Sequence, residues 1–222
     1  MREFKIIRDP NDCGNLYFKT SVTFEPGVTV LIGCNGCGKT TLLRQIKRQL
    51  EKEDIPFVMY DNLHDGGSNA RSKAGFYGDL DFLAGSLCSS EGENIVLNMG
   101  NVARQMGSLV NKNPNAKELW FLLDAVDSGL SIDNVVDIKE YLFKTVFEHN
   151  KGKDIYIIVS ANEYEMVRGE KCFDTWLCKY VDIKSYEGYR DFVLKSRERK
   201  EKREEAYAKK REKERGNRRR GR

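Results

Sequence analysis

Gly33-Cys34-Asn35-Gly36-Cys37-Gly38-Lys39-Thr40 satisfies G-x-x-x-x-G-K-[ST], the spacing of a phosphate-binding loop. Its context is the required one. Val28–Ile32 before it is a short apolar run that reads as a buried strand, and Leu42, Leu43, Ile46 and Leu50 after it keep helical spacing. Glycines let backbone N–H groups turn inward around phosphate oxygens, and the following helix directs its positive end at them. Lys39 adds a mobile cation for the terminal phosphates, and the Thr40 hydroxyl is a ligand for Mg²⁺. Asn35, Gly36, Cys37, Gly38, Lys39, Thr40 and Thr41 are the nucleotide-binding candidates of this segment.

Outward from the loop, short runs rich in Val, Ile, Phe and Tyr alternate with longer amphipathic stretches, the pattern of a layered α/β domain with a mostly parallel central sheet. Phe4–Ile7 and Leu16–Phe24 read as N-terminal antiparallel strands, and Phe57–Tyr60, Leu119–Leu123 and Ile155–Val159 as further strands. Helices are predicted over Asp79–Cys88, Glu91–Asn111 and Ile132–Phe147, and a loop over Asp61–Ser72. Leu119–Leu123 ends in Asp124. A carboxylate at the carboxyl end of a buried strand, downstream of a phosphate loop, can hold Mg²⁺ beside the loop threonine, as a Walker B aspartate does.

Composition sets the frame for these elements. The chain has 222 residues, of which 40% are hydrophobic and 32% charged, so one compact domain with an appendage is expected. No run approaches the roughly 20 apolar residues that span a bilayer, and Met1-Arg2-Glu3-Phe4-Lys5 alternates charge where a signal peptide would be apolar. A cytoplasmic protein with no membrane partner is the expectation. Six cysteines over this length are too sparse for a disulfide scaffold, and Cys34 and Cys37, though spaced C-x-x-C, lie inside the phosphate loop. His64 and His149 are isolated and assemble no metal or nucleophile constellation.

The charge is unevenly placed. Lys195–Arg222 carries 15 Lys and Arg against 6 Asp and Glu, a net +9, which leaves Met1–Leu194 at −5 within the chain's +4. Opposite charges recur four apart, as in Arg197/Glu201, Glu198/Lys202 and Lys200/Glu204, which favours a solvated helix. Residues 1–194 are read as an ATP-binding domain and 195–222 as a basic helical or disordered tail. Such a tail suits nonspecific contact with DNA or RNA, or docking of a protein partner.

Taken together, the motifs resemble those of ABC-type P-loop ATPases. Asp124-Ala125-Val126-Asp127-Ser128-Gly129-Leu130-Ser131 resembles their Walker B and D-loop run, and Ser89-Ser90-Glu91-Gly92-Glu93 before a helix resembles their signature motif. Loop, signature, Walker B and D-loop stand in the superfamily's order over roughly Val28–Asn162. The absence of a long insertion between Asp61 and Ser90 is similar to a small stand-alone head of the SMC and RecF group, of phage or prophage type. The resemblance implies an ATP-dependent homodimer that sandwiches Mg-ATP head to tail. Ser90, Gly92 and Glu93 of one copy would then approach the γ-phosphate held by the other.

Three positions depart from that pattern. Ala125 stands where the family places its catalytic Glu, which leaves weak or absent hydrolysis as the first reading, with a water-orienting role for Asp127 or an engineered trap as the others. Asn162 stands where a switch His is expected, and it can bond a phosphate without carrying a proton. No Gln follows Phe57–Tyr60, so Asp61 is the substitute Mg²⁺ or water contact. The set to test is therefore Asp127 and Asn162 for catalysis and Thr40, Asp61 and Asp124 for metal. Two competing readings remain: a noncatalytic nucleotide-gated module, and a small P-loop kinase whose lid cations would be Arg71 and Arg104.

Overall fold

The computed structural model describes residues 1–7, 16–62 and 91–220. Strand β1 (Arg2–Lys5) pairs antiparallel with β2 (Ser21–Phe24) in a two-stranded ribbon. The central sheet has six strands: β3 (Gly27–Ile32), β4 (Phe57–Asp61), β5 (Glu118–Asp124), β6 (Asp154–Ser160), β7 (Lys171–Asp174) and β8 (Lys179–Val181). Their spatial order is β4-β5-β6-β3-β7-β8, with the first five parallel and β8 antiparallel at the edge.

β5 and β6 read as uninterrupted apolar runs because the sheet is covered on both faces. The pleat divides them. Leu119, Phe121, Leu123, Ile155, Ile157 and Val159 enter one core, with helix α2 (Glu91–Lys112) and the helical run of 132–149. Trp120, Leu122, Tyr156 and Ile158 enter the other, with helix α1 (Lys39–Lys52) and the β1–β2 ribbon. There Trp120 stacks on Tyr156 at 3.9 Å between centroids, and Phe4 meets Trp120 edge-on at 5.1 Å.

Several elements differ from the sequence expectation. The ribbon's second strand starts at Ser21, not Leu16. The predicted helix over Ile132–Phe147 is α3 (Ile132–Asp137), a π-helical segment (Ile138–Phe143) and α4 (Lys144–His149). From that segment Lys139 Nζ donates to the carbonyl oxygens of Glu165, within the one-turn helix α5 (Tyr164–Val167), and of Arg168, just after it. Strands β7 and β8 were not expected at all. Helix α6 runs from Tyr186 to Arg220, so it begins upstream of the charge boundary at Lys195. Its inner face recurs at helical spacing through Tyr189, Val193, Ser196, Lys200 and Arg203, each buried or half-buried. The loop predicted over Asp61–Ser72 lies, after Asn62, outside the described residues, as do the predicted helix Asp79–Cys88 and Ser89, Ser90, Arg71 and His64.

Candidate functional site at the phosphate loop

The loop joins the carboxyl end of β3 to the first turn of α1. Its geometry depends on glycine. Gly33 has φ 146°, and a Cβ there would sit 2.5 Å from Cys37 Sγ; Gly38, the residue capping α1, has φ 101° and lies against Tyr17. Buried Tyr17 holds the loop from behind by donating its hydroxyl to the Gly38 carbonyl at 2.7 Å. Lys39 Nζ turns back onto the loop and donates to the carbonyls of Gly33 at 2.9 Å and Cys34 at 3.5 Å. Cys34 and Cys37 are buried, and desolvation pushes the Cys37 thiol up from its ordinary range, so it packs as a thiol rather than reacting as a thiolate.

Strand order decides what faces this loop. β6 lies between β3 and β5, so Ser160 at its end stands in register with Asp124. The Ser160 hydroxyl donates to Asp124 Oδ1 and accepts the Ala125 N–H at 2.8 Å. A cavity of about 280 Å³ opens there, lined by Lys39, Thr40, Asp124, Ala125, Ser160 and Asn162, together with the loop. Thr40 and Asp124 offer a hydroxyl and a carboxylate oxygen, hard donors that fit Mg²⁺, an ion that commonly takes one or two carboxylates plus substrate phosphates. Among the described residues no group of three His, Cys, Asp or Glu assembles a metal site of the all-protein kind.

Other candidates are placed differently. Asp61 is in register with Asp124, but its carboxylate pairs with Arg44 of α1 at 3.1 Å and ties that helix to the end of β4. Asp127 is fully buried; its Oδ2 accepts the N–H groups of Asn162 and Glu163, both at 2.7 Å. Burial raises its carboxyl above the ordinary aspartate range, and the Glu163 and Asn162 amides act in the opposite direction. The group expected to orient water thus clamps the turn after β5 to the loop after β6. Asn162 lines the cavity, with its N–H on Asp127 and its carbonyl oxygen accepting the Tyr189 hydroxyl at 3.1 Å. Gly92 and Glu93 lie in the first turn of α2, and Ser90 lies outside the described residues.

Sequence reasoning gave no role to Ser160 and no place at the phosphate loop to α6. Ser196 Oγ accepts the Cys34 N–H at 3.2 Å, and Lys200 Nζ donates to the Asn35 carbonyl at 3.2 Å. Arg199 pairs at 3.3 Å with buried Asp174, whose other oxygen accepts the Trp176 and Leu177 amides. The basic helix is therefore seated on the outer side of the phosphate loop. The missed signal was a polar inner face, invisible to a search for apolar periodicity.

The family model described as AAA domain matches residues 22–161, from β2 to the residue after β6. That span is more than half of the chain, which therefore belongs to this P-loop NTPase family, whose members in general use ATP and Mg²⁺. No curated protein matches the chain. No helix among the described residues is long and apolar enough to cross a membrane.

Proposed function

We propose that this member of the AAA domain family binds Mg-ATP at the phosphate loop and uses it as a switch, with weak or absent hydrolysis. One observation carries the reading: Ala125 lines the cavity where a catalytic Glu would project, while the Asp127 carboxylate is already bonded to two backbone amides. A methyl group cannot polarise water. On binding, Lys39 exchanges the Gly33 and Cys34 carbonyls for the terminal phosphates, and the loop amides and the start of α1 stabilise their charge. Thr40 and Asp124 would hold Mg²⁺, which would supply the remaining neutralisation.

In the finer reading, the domain acts as a cytoplasmic ABC-type head. Two copies close head to tail, and Ser90 with the Gly92 amide of one copy completes the γ-phosphate cage of the other. The cations of α6 engage a nucleic acid or protein partner. A noncatalytic nucleotide-gated module is the second reading, and Ala125 favours it too.

Light scattering with and without Mg-ATP, with phosphate release followed in the same samples, tests this directly. The expected result is a doubled mass that Lys39→Ala and Ser90→Arg both abolish, with little phosphate released. Ala125→Glu is expected to raise turnover. ATP binding without a change in mass removes the sandwich and leaves a monomeric switch; fast turnover by the unaltered chain overturns the switch.

A further inference from the structure

A second cavity, of about 310 Å³, lies on the other side of the phosphate loop. Its walls are the outer side of Gly33–Asn35, the loop after β6 and the first turns of α6. Tyr164, Tyr186 and Tyr189 form an aromatic cluster in it, with Tyr164 edge-on to Tyr186 at 5.8 Å and tilted to Tyr189 at 5.9 Å. Arg190 and Arg197, two turns apart on one face of α6, line the same cavity, as does Glu163. Among the described residues Arg197 makes no ion pair, whereas Arg190 meets its neighbour Asp191 at 3.6 Å with both side chains largely in solvent.

We propose that this cavity is a second ligand site that takes one nucleotide unit, its base against the tyrosines and its phosphate on Arg190 and Arg197. The size is at the lower end of ligand cavities, about 300 Å³. An aromatic wall accepts the face of any base, guanidinium forks match phosphate oxygens, and Glu163 can accept from a base amino or imino group. The adenine of ATP is not the occupant. Asn162 and Asn35 line both cavities, so the new one abuts the end of the phosphate site next to Asp124, where the terminal phosphates sit. A strand leaving the cavity meets the further cations of α6, and Lys200 is already on the phosphate loop. This deepens the nucleic-acid reading of α6 and rests on it for a strand as the source; a free nucleotide is the other source of the same chemistry.

The test is fluorescence anisotropy of a labelled single-stranded thymidine oligonucleotide of about ten residues, with no ATP present. Duplex of the same length and thymidine monophosphate serve as separate arms. Binding is expected for the single strand over the duplex, and equally in Lys39→Ala, which disables only the ATP site. Tyr164→Ala is expected to weaken it about tenfold and Tyr164→Phe to restore it. Arg197→Ala is expected to weaken it and to flatten the salt dependence by about 0.7 in log–log slope. Both variants keep ATP affinity, which shows that they are folded. Thymidine monophosphate that quenches tyrosine emission in the unaltered chain and not in Tyr164→Ala, without strand binding, supports the site with a free nucleotide as its source. Strand binding that Tyr164→Ala and Arg197→Ala leave unchanged, or that the duplex equals, overturns the cavity while the α6 reading stands. No binding in any arm overturns both.

Discussion

The phosphate loop, Gly33–Thr40, and the turn that begins at Asp124 face each other across one cavity, yet they are built on opposite principles. In the loop the chemistry is backbone: amides and carbonyls arranged by positive-φ glycines, with Lys39 as the one cation. Any chain with those residues at those spacings makes nearly the same object. In the turn the chemistry is side chain. Asp124 and Asp127 are three residues apart, but one is bonded to Ser160 at the edge of the cavity and the other is sealed against the amides of Asn162 and Glu163. A motif position therefore names a function in the first region and only a location in the second.

The sharpest way to break this contrast is Lys39→Ala. Loss of a charge-assisted contact to phosphate is expected to lower ATP affinity about 100-fold in calorimetry with the fold intact. Retained affinity would mean that the loop does not act as a phosphate cradle. Asp127→Ala is expected to do the reverse, removing about 2 kcal/mol of stability in urea unfolding because two part-buried amides lose their acceptor, while ATP affinity changes less than about twofold. Lost turnover with unchanged stability would instead return Asp127 to a catalytic role.

A smaller effect tests its ionisation. Burial holds the Asp127 carboxyl above the ordinary value of about 3.9, so the native state takes up its proton at higher pH than the unfolded chain does. Its destabilising contribution is full above the native value and is relieved as pH falls through it. Between about pH 7 and about pH 4, stability of the unaltered chain should therefore gain on that of Asp127→Asn, read as urea midpoints of both. A constant difference would mean that the amides keep the carboxylate ionised throughout. Least of all, Ala125→Gly is expected to add about 0.5 kcal/mol, since φ at Ala125 is 51°, a left-handed conformation that costs an L-residue more than glycine.

Much of the fold was readable for the same reason that the loop was. β3, α1, β4, α2, β5 and β6 carry local signals, in apolar runs and helical spacing, that tertiary contacts reinforced. β7 and β8 are four and three residues long, and they are strands because Lys171–Asp174 finds the free edge of β3 and Lys179–Val181 then finds β7. The π-helical segment is likewise tertiary in origin, since nothing in Ile138–Phe143 announces it. α6 was cut at Lys195 because composition changes there, although Tyr189, Val193 and Ser196 already keep helical spacing into the charged part.

By itself the sequence determined the phosphate loop and the parallel α/β sheet around it, because backbone conformation and the pattern of apolar residues are local properties. Only the tertiary structure decided that Ser160 meets Asp124, that Asp127 is a clamp and that a basic helix rests on the loop beside a tyrosine-lined cavity. Those roles depend on which strand lies between β3 and β5 and on which helix face turns inward. Partners far apart in the chain settle both by burying their surfaces together.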